Sequence, residues 1–231
     1  MLIMSLFSFN IKKSIFFIGF FIINAATHAQ TLTIVNGGNT GTSGTNWSIT
    51  ETTLTVTGAA SIDASVIANA LTNGNLWVVG NSTNFVVTVS EVINSTTVGS
   101  GLTIGSMTND GAITFGATTI IAGPITAYGG TIAVNENLNT TAGNAVGDLL
   151  LKASGDISLA SAKSITTAGG DVILWSNSDG QTSNGGVFLN PLSTLSTGGG
   201  HIWIGGGNGT STWNGLTVGN GYAVSGKSVR F

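Results

Sequence analysis

A glycine followed by a short strand of alternating apolar residues recurs along the chain, and this repeat limits the fold more than any other feature. Its copies are G-L-T-I (101–104), G-A-I-T-F (111–115), G-T-I-A-V (130–134), G-D-L-L-L (147–151), G-D-I-S-L (155–159), G-D-V-I-L (170–174), G-V-F-L (186–189) and G-H-I-W-I (200–204). Such strands bury one face and expose the other, and each is too short to be stable alone. Stacked copies would bury a continuous apolar column. The repeat therefore predicts an all-β fold, a parallel β-solenoid of short irregular coils.

The glycines of the repeat are irregularly spaced. From Gly155 onward the steps are 15, 16 and 14 residues. A phrase of strand, double glycine and strand occurs at 125–134, 165–174 and 195–204. We expect these glycines at corners of the coil, where a positive φ or a tight turn favours them. A calcium-binding roll would need tandem G-G-x-G-x-D nonapeptides, and the single Gly-Gly-Asp at 169–171 does not supply them.

The region from 31 to 110 is less repetitive. Strands are predicted at 32–35, 53–57, 76–79 and 85–89. One short helix is predicted near 63–72, because Asp63 can cap the segment ASVIANAL and Gly74 lies just beyond its end. This helix either caps the open N-terminal edge of the solenoid or forms a bulge in one coil. We divide the mature chain into an N-terminal solenoid and cap region, 30–110, and a repetitive solenoid region, 111–231, that continues past the end of the chain.

The first 29 residues have the pattern of a secretory signal peptide. Lys12 and Lys13 close a polar segment, an apolar run follows at 14–23, and Thr27-His28-Ala29 forms a small-x-Ala cleavage pattern. The apolar run is shorter than the roughly 20 residues that a membrane-spanning helix needs. We therefore expect the mature chain to start at Gln30 and to be secreted.

The mature chain carries few charges. Nine acidic residues stand against Lys152, Lys163, Lys227 and Arg230, which gives a net charge of −5. This balance provides no basic stripe for nucleic-acid phosphates and no basic amphipathic face for a membrane surface. The chain has no cysteine, so regular packing and hydrogen bonding must replace the disulfides of many secreted proteins.

Side chains capable of catalysis are sparse. His201 is the one histidine after the predicted cleavage site, and we interpret it as a solvent-facing coil residue, because no second His or any Cys could complete a metal site or a thiol catalyst. Asp148, Asp156 and Asp171 each follow a glycine at a strand start, so stacked coils could bring two of them together for paired-carboxylate chemistry. The single arginine, Arg230, lies at the end. We therefore expect no enzyme, no catalytic residue, no cofactor and no metal site.

The tryptophans are the weak candidates for ligand contacts. Trp203 lies between Ile202 and Ile204, so its position depends on which face of the strand is buried. If the isoleucines face the core, Trp203 is exposed and could stack on a sugar; in the other register it fills the core. Trp175 extends the preceding repeat strand, and Trp213 follows in a turn-rich passage. Trp175 and Trp203 are the ligand-binding candidates, with both registers open.

Several longer phrases resemble those of known adhesins. The segments SIDASVIANALTNGNL (61–76), G-D-I-S-L (155–159), G-G-D-V-I-L-W-S-N-S-D (169–179) and G-G-G-H-I-W-I-G-G-G (198–207) are similar to repeats of large filamentous-haemagglutinin-like bacterial surface adhesins, in particular those of flavobacteria. The resemblance covers most of 31–231. It implies a right-handed parallel β-helix, transport by outer-membrane export machinery, and adhesion to surfaces or other cells.

The chain also departs from that family. Its only Asn-Pro, at 190–191, sits late for the Asn-Pro motifs of a two-partner secretion signature, and no sorting domain is visible after Arg230. The turn-rich passage 205–226 looks like an interior repeat. These features indicate the N-terminal fragment of a longer adhesin.

Three functions remain open at this level. The first is a structural or adhesive stalk that attaches to surface glycans of a host or the environment, or to other cells. The second is ice binding, favoured by the Thr-x-Thr alternation at 53–57, although no such ladder recurs from coil to coil. The third, a polysaccharide-active β-helix enzyme, is disfavoured by the sparse acids. Edge-to-edge self-association is a further expected contact, and nucleic acid is not an expected partner.

Overall fold

The computed structural model describes residues 30–181 and 185–221, so the predicted signal peptide lies outside the described residues. In this part the chain is an all-β solenoid of about seven turns with one short α-helix, which confirms the predicted fold class. The strands, in chain order, are β1 (Gln30–Val35), β2 (Ser43–Gly44), β3 (Trp47–Thr50), β4 (Thr53–Val56), β5 (Ala59–Asp63), β6 (Leu76–Gly80), β7 (Phe85–Val89), β8 (Ile93–Ser95), β9 (Leu102–Ile104), β10 (Ile113–Phe115), β11 (Thr119–Ile121), β12 (Ile125–Gly129), β13 (Ile132–Val134), β14 (Leu138–Asn139), β15 (Leu149–Ala153), β16 (Ile157–Leu159), β17 (Ser164–Thr166), β18 (Val172–Ser176), β19 (Val187–Leu189), β20 (Thr194–Ser196), β21 (Ile202–Trp213) and β22 (Leu216–Gly221). The helix α1 spans Ala64–Leu71, and a 3-10 turn spans Ala142–Asn144.

Three sheets form the walls of the solenoid. Sheet A has the order β19-β16-β13-β10-β7-β1-β5, sheet B the order β2-β3-β4-β6-β9-β12-β15-β18-β21-β22, and sheet C the order β20-β17-β14-β11-β8. Neighbouring strands are parallel except in β2-β3-β4 and in β21-β22. A regular coil runs from sheet B to sheet A to sheet C, as β12, β13 and β14 do, and the next coil then begins in sheet B.

The core is a set of apolar columns that run from coil to coil. In sheet A one column passes through Ile34, Val89, Phe115, Val134 and Leu159, which are paired in register, and each is at most 1% exposed. Residues on either side of each column member face outward and are partly exposed. The period of two that the sequence indicates is therefore the period of the buried column.

The helix α1 lies at the end of sheet C, next to its outermost strand. The Asp63 carboxylate accepts the backbone N–H of Ser65 at 2.9 Å, which is the predicted N-cap. The helix buries Val66, Ile67 and Leu71 and packs chiefly against β8, the outermost strand of sheet C. It is therefore a cap on the solenoid and not a bulge within a coil.

The first described strand lies inside a sheet. β1 pairs in parallel with β5 on one side and with β7 on the other, although β5 comes later in the chain. Spatial order and chain order therefore differ at this end, and β5 covers the strand that the sequence places first.

The repeat glycines are required by close approach between coils. Gly147, Gly170 and Gly200 precede successive strands of sheet B. A Cβ on Gly170 would lie 2.2 Å from the carbonyl oxygen of Gly147, and a Cβ on Gly200 would lie 2.2 Å from that of Gly170. Gly170 and Gly200 do not have a positive φ themselves; it occurs before them, in Gly169 at 94° and in Gly198 and Gly199 at 61° and 123°. The predicted corners are present, but stacking contact rather than φ explains the second glycine of each pair.

The three copies of strand, double glycine and strand do not mark one corner. The pairs at 169–170 and 199–200 connect sheet C to sheet B, whereas Gly129 and Gly130 connect β12 of sheet B to β13 of sheet A. A Cβ on Gly130 would lie 2.0 Å from the carbonyl oxygen of Asp110 in the coil before. Two different corners thus have the same sequence phrase because both bring backbones of adjacent coils into contact.

Carboxylate and amide side chains at the strand starts tie each coil to the next. Asp148 Oδ1 accepts the backbone N–H of Asp171 at 2.8 Å, and Asp171 Oδ1 accepts that of His201 at 2.7 Å. Equivalent contacts join Asn75 to Gly101, Asn137 to Ser164 and Asp156 to Gly186. We call these contacts the strand-start bonds. They explain why Asp follows glycine in three of the eight copies of the repeat.

The last described segment is not another parallel coil. β21 and β22 form an antiparallel hairpin in which Gly206 pairs with Gly221 and Trp213 pairs with Leu216. The interior repeat predicted from the turn-rich passage is therefore wrong for 205–221. The hairpin instead bends onto the outer face of sheet B, where Gly207 accepts a hydrogen bond from the buried Trp175 side chain.

We expect Gly170→Ala to lower the free energy of unfolding by about 1–3 kcal/mol, because the added methyl group would overlap a backbone carbonyl of the neighbouring coil. The matched control is Gly221→Ala, whose Cβ would have no atom nearer than 3.5 Å. Urea unfolding followed by circular dichroism measures both variants. Equal losses of stability in the two would contradict the stacking constraint.

The N-cap at Asp63 should make stability depend on pH. Hydrogen bonds from Ser65 and then Gly37 hold the pKa of Asp63 below its ordinary value of 3.8. Its contribution is therefore complete above that value and is lost as the pH falls through the lower folded pKa. We expect the melting temperature of the wild type to fall more steeply below about pH 4 than that of Asp63→Asn, which keeps the acceptor oxygen but does not titrate. Parallel curves would show that the carboxylate charge is not involved.

Candidate functional site

A polar groove follows the corner where the chain leaves sheet B for sheet A. Two adjoining cavities of ≈ 160 and ≈ 280 Å³ share Asp110, Ser154 and Asp179 as lining residues. Tyr128 and Lys152 line the first cavity, and Asp156 lines the second. We call these two cavities the corner groove. Because the same corner recurs in successive coils, stacking brings together side chains that are far apart in the chain.

Tyr128 and Lys152 form the sheet B side of the corner groove. They are paired in parallel register on the outer face, on β12 and β15. Burial raises the pKa of the Tyr128 phenol and lowers the pKa of the Lys152 ammonium group. The Lys152 Nζ atom also lies 3.6 Å from the centre of the Trp175 ring, a cation–π contact that favours the charged amine. The groove therefore has one aromatic ring and one positioned hydrogen-bond donor on this side.

The carboxylates on the opposite side of the groove differ in the number of hydrogen bonds that they accept. Asp156 Oδ1 accepts two backbone N–H groups before β19, at 2.8 and 3.2 Å, so it is held by the fold. Asp179 Oδ1 accepts one backbone N–H at 3.1 Å, and Asp110 Oδ1 has one contact with the Ser154 hydroxyl at 3.5 Å. In residues 30–181 and 185–221, the second oxygens of Asp110 and Asp179 accept no hydrogen bond.

Trp77 lines neither cavity of the corner groove, but it contacts the residue that precedes the lining residue Ser106. Its side chain is 47% exposed, and its indole Nε1–H donates to the carbonyl oxygen of Gly105 at 2.7 Å. The next residue, Ser106, lines the groove. The hydrogen bond fixes the ring across the outer face of sheet B. Sequence reasoning missed Trp77, although strict alternation in LWVVG (76–80) places it opposite the buried Leu76 and Val78.

The predicted ligand candidate Trp175 has no open ring face. It is 3% exposed, its Nε1–H donates to the carbonyl oxygen of Gly207 at 2.8 Å, and Lys152 covers its ring. The hairpin that covers Trp175 follows it in the chain by about one coil. The repeat pattern around Trp175 does not indicate that a later hairpin buries this side chain.

The second predicted candidate, Trp203, lies on the outer face. Ile202 and Ile204 are in register with the buried Val172 and Leu174, so they lie on the core side of the strand. Ile204 is partly buried against the core, whereas Ile202, in the last parallel strand that the structure describes, is 40% exposed. Of the two registers, the structure has the one that turns Trp203 outward. The ring is half-buried and meets Trp175 edge to face, with centroids 6.2 Å apart. Trp203 is thus partly covered by its aromatic neighbour.

The predicted acidic cluster is divided between two corners. Asp148 and Asp171 meet at the start of sheet B through a strand-start bond, whereas Asp156 lies at the start of a sheet A strand. His201 is exposed, as predicted, and its Nδ1 atom lies 2.9 Å from Asp171 Oδ1, while the Asn214 side-chain amide contacts its Nε2 atom. Both ring nitrogens of His201 are therefore engaged by neighbouring side chains.

Two kinds of feature are absent from the part of the chain that the structure describes. Within residues 30–181 and 185–221, no group of three or more His, Cys, Asp or Glu side chains is placed to hold a metal ion. In the same ranges, no helix has the length and apolar character needed to cross a bilayer. No family model, curated protein or solved structure matches the chain. The solenoid and the corner groove are therefore the features that bear on function.

Proposed function

We propose that the chain is a secreted or cell-surface stalk, a non-catalytic β-solenoid that mediates attachment to glycans, cells or other surfaces through its side. The observation that carries this proposal is the continuous bonding between coils. Parallel ladders join the coils in all three sheets, and strand-start bonds add a side-chain contact at the corners. In a solenoid each coil is stabilised by its neighbours, so such bonding produces a stiff rod.

The corners between sheets C and B support the same interpretation. The Thr140 hydroxyl donates to the carbonyl oxygen of Gly147 at 2.6 Å, and the Thr197 hydroxyl donates to that of Gly200 at 2.6 Å. The Thr167 hydroxyl donates to the carbonyl oxygen of Gly170 in the coil between them. These bonds fix the turn geometry locally, so the rod does not depend on disulfides for stiffness.

The chemistry of the corner groove supports binding more than catalysis. It contains a phenol, an amine and carboxylates, but His201 lies at a different corner of the solenoid. The carboxylates of Asp110 and Asp179 each have one oxygen that accepts no hydrogen bond from the described residues. They are therefore suited to accept hydrogen bonds from a bound ligand. The predicted signal peptide supports export of the stalk to the cell surface.

A row of hydroxyl groups on sheet A favours ice binding as a second candidate. Thr33, Thr88, Thr114 and Ser158 lie in one outward column, which Ala133 interrupts between the last two. No second row of hydroxyl groups runs parallel to it through Thr31, because the residue paired with Thr31 in the next strand is Val86 and not a threonine. Thermal hysteresis in a solution of the mature chain would favour this candidate over the stalk.

We expect beads coated with the mature chain to attach to cells or polysaccharide-coated surfaces, while the soluble chain releases no sugar from polysaccharides and shows no thermal hysteresis. Beads coated with urea-unfolded chain are the control for non-specific adsorption. Release of reducing ends that is lost in Asp110→Asn would instead establish an enzyme. Failure of folded beads to attach better than unfolded beads would contradict adhesion.

A further inference from the structure

We propose that the corner groove and Trp77 together bind a short segment of neutral saccharide. One sugar ring would pack on the aromatic wall formed by Trp77 and Tyr128, and the adjoining rings would hydrogen-bond to Asp110, Asp179 and Lys152. This inference rests on the attachment function proposed above and names its ligand class.

The two residues of this proposed wall, Trp77 and Tyr128, each lie on the outer face of sheet B. The 2.7 Å bond from Trp77 Nε1 to Gly105 holds the indole across the sheet, and its 47% exposure leaves ring surface open to solvent. Tyr128 is half-buried on the same outer face and lines the first cavity. A sugar ring presents C–H groups on its faces and hydroxyls at its rim, so it packs on an aromatic ring while its hydroxyls reach polar neighbours. A ring that is held in place loses little conformational entropy on binding.

The polar side of the groove matches sugar hydroxyls. Each hydroxyl both donates and accepts, and the groove offers acceptors on Asp110 and Asp179 and donors on Lys152 and Ser154. Carboxylate and ammonium partners make the stronger, charge-assisted hydrogen bonds. Within the described ranges, Asp110 has one long contact at 3.5 Å and Asp179 has one backbone hydrogen bond at 3.1 Å.

The charge of the groove selects against acidic sugars. Asp110, Asp156 and Asp179 outnumber the one cation, Lys152, and the Lys152 ammonium already lies on the Trp175 ring. A uronate, sulfate or phosphate group would therefore be repelled by the lining carboxylates. Bound metal does not explain the carboxylates, because the described residues hold no group of three or more metal-ligating side chains.

The size of the groove indicates a short segment. Pockets for drug-sized ligands are about 300–1,000 Å³. The two cavities, ≈ 160 and ≈ 280 Å³, are each smaller than that and suit single rings. Both are lined by the same run of coils, the first on the sheet B side of the corner and the second on the sheet A side. A linear saccharide would therefore pass around the corner from one cavity to the other.

Calorimetric titration of the mature chain with neutral oligosaccharides tests this inference. The probes are hexamers of β-1,4-linked glucose, β-1,4-linked mannose, β-1,3-linked glucose and β-1,4-linked N-acetylglucosamine, with a galacturonate oligomer as the acidic comparison. We expect at least one neutral hexamer to bind and the galacturonate oligomer to bind more weakly. Trp77→Ala should weaken binding about tenfold or more, the effect typical of a lost stacking contact.

The matched control is Trp213→Ala. Trp213 is 41% exposed, close to Trp77, but its ring packs on His201, away from the groove. Its replacement should leave affinity within about twofold of the wild type. Trp77→Phe should restore part of the binding, because a ring remains, and Asp110→Asn should weaken binding with little loss of stability.

The outcomes separate the two proposals. If coated beads attach but no neutral hexamer binds, or if Trp77→Ala and Trp213→Ala weaken binding equally, the saccharide inference is wrong and the stalk proposal stands. If a hexamer binds and depends on Trp77 but coated beads do not attach, the inference stands and adhesion is wrong. Circular dichroism of Trp77→Ala identifies any loss that comes from unfolding.

Discussion

Successive coils of this solenoid approach so closely at the start of the sheet B strands that a side chain has no room there. Gly147, Gly170 and Gly200 meet backbone to backbone, and a Cβ at either of the last two would stand 2.2 Å from a carbonyl oxygen. That contact allows the strand-start bonds from Asp148 and Asp171 to reach the next coil. The register of every sheet, and with it the buried column, depends on this spacing.

The candidate site is a consequence of the same stacking at a different corner. Tyr128 and Lys152 are neighbours because β12 and β15 are in register, and Asp110 and Asp179 join them from turns of other coils. In a regular coil few polar groups lack a hydrogen bond. Asp110 and Asp179 are exceptions, because one oxygen of each carboxylate accepts no hydrogen bond from the described residues. A rod whose side carries such a groove can hold a ligand without moving, which agrees with attachment and with a saccharide as the attached molecule.

The local parts of this fold could be predicted from the sequence, and the long-range parts could not. Alternation identified the strands, and Asp63 identified the start of α1, because both signals involve neighbours in the chain. No local sequence pattern indicates that β1 lies between β5 and β7, because parallel pairing joins segments that are distant in the chain. Burial of Trp175 depends on the later hairpin. Trp77 was identifiable from alternation, but its place beside the groove required the register of the coils.

Engineered cysteine pairs measure the stacked register most directly, since the chain has no native cysteine. Ala133 and Ser158 are paired on the outer face of sheet A, at the separation of about 4.8 Å between neighbouring strands, which permits a disulfide. Ala133 and Phe188 are two strands apart, about 9.6 Å, which is too far. Oxidation should cross-link Ala133→Cys with Ser158→Cys and not with Phe188→Cys. Equal cross-linking of the two pairs, or none in the first, would contradict the stacked parallel coils.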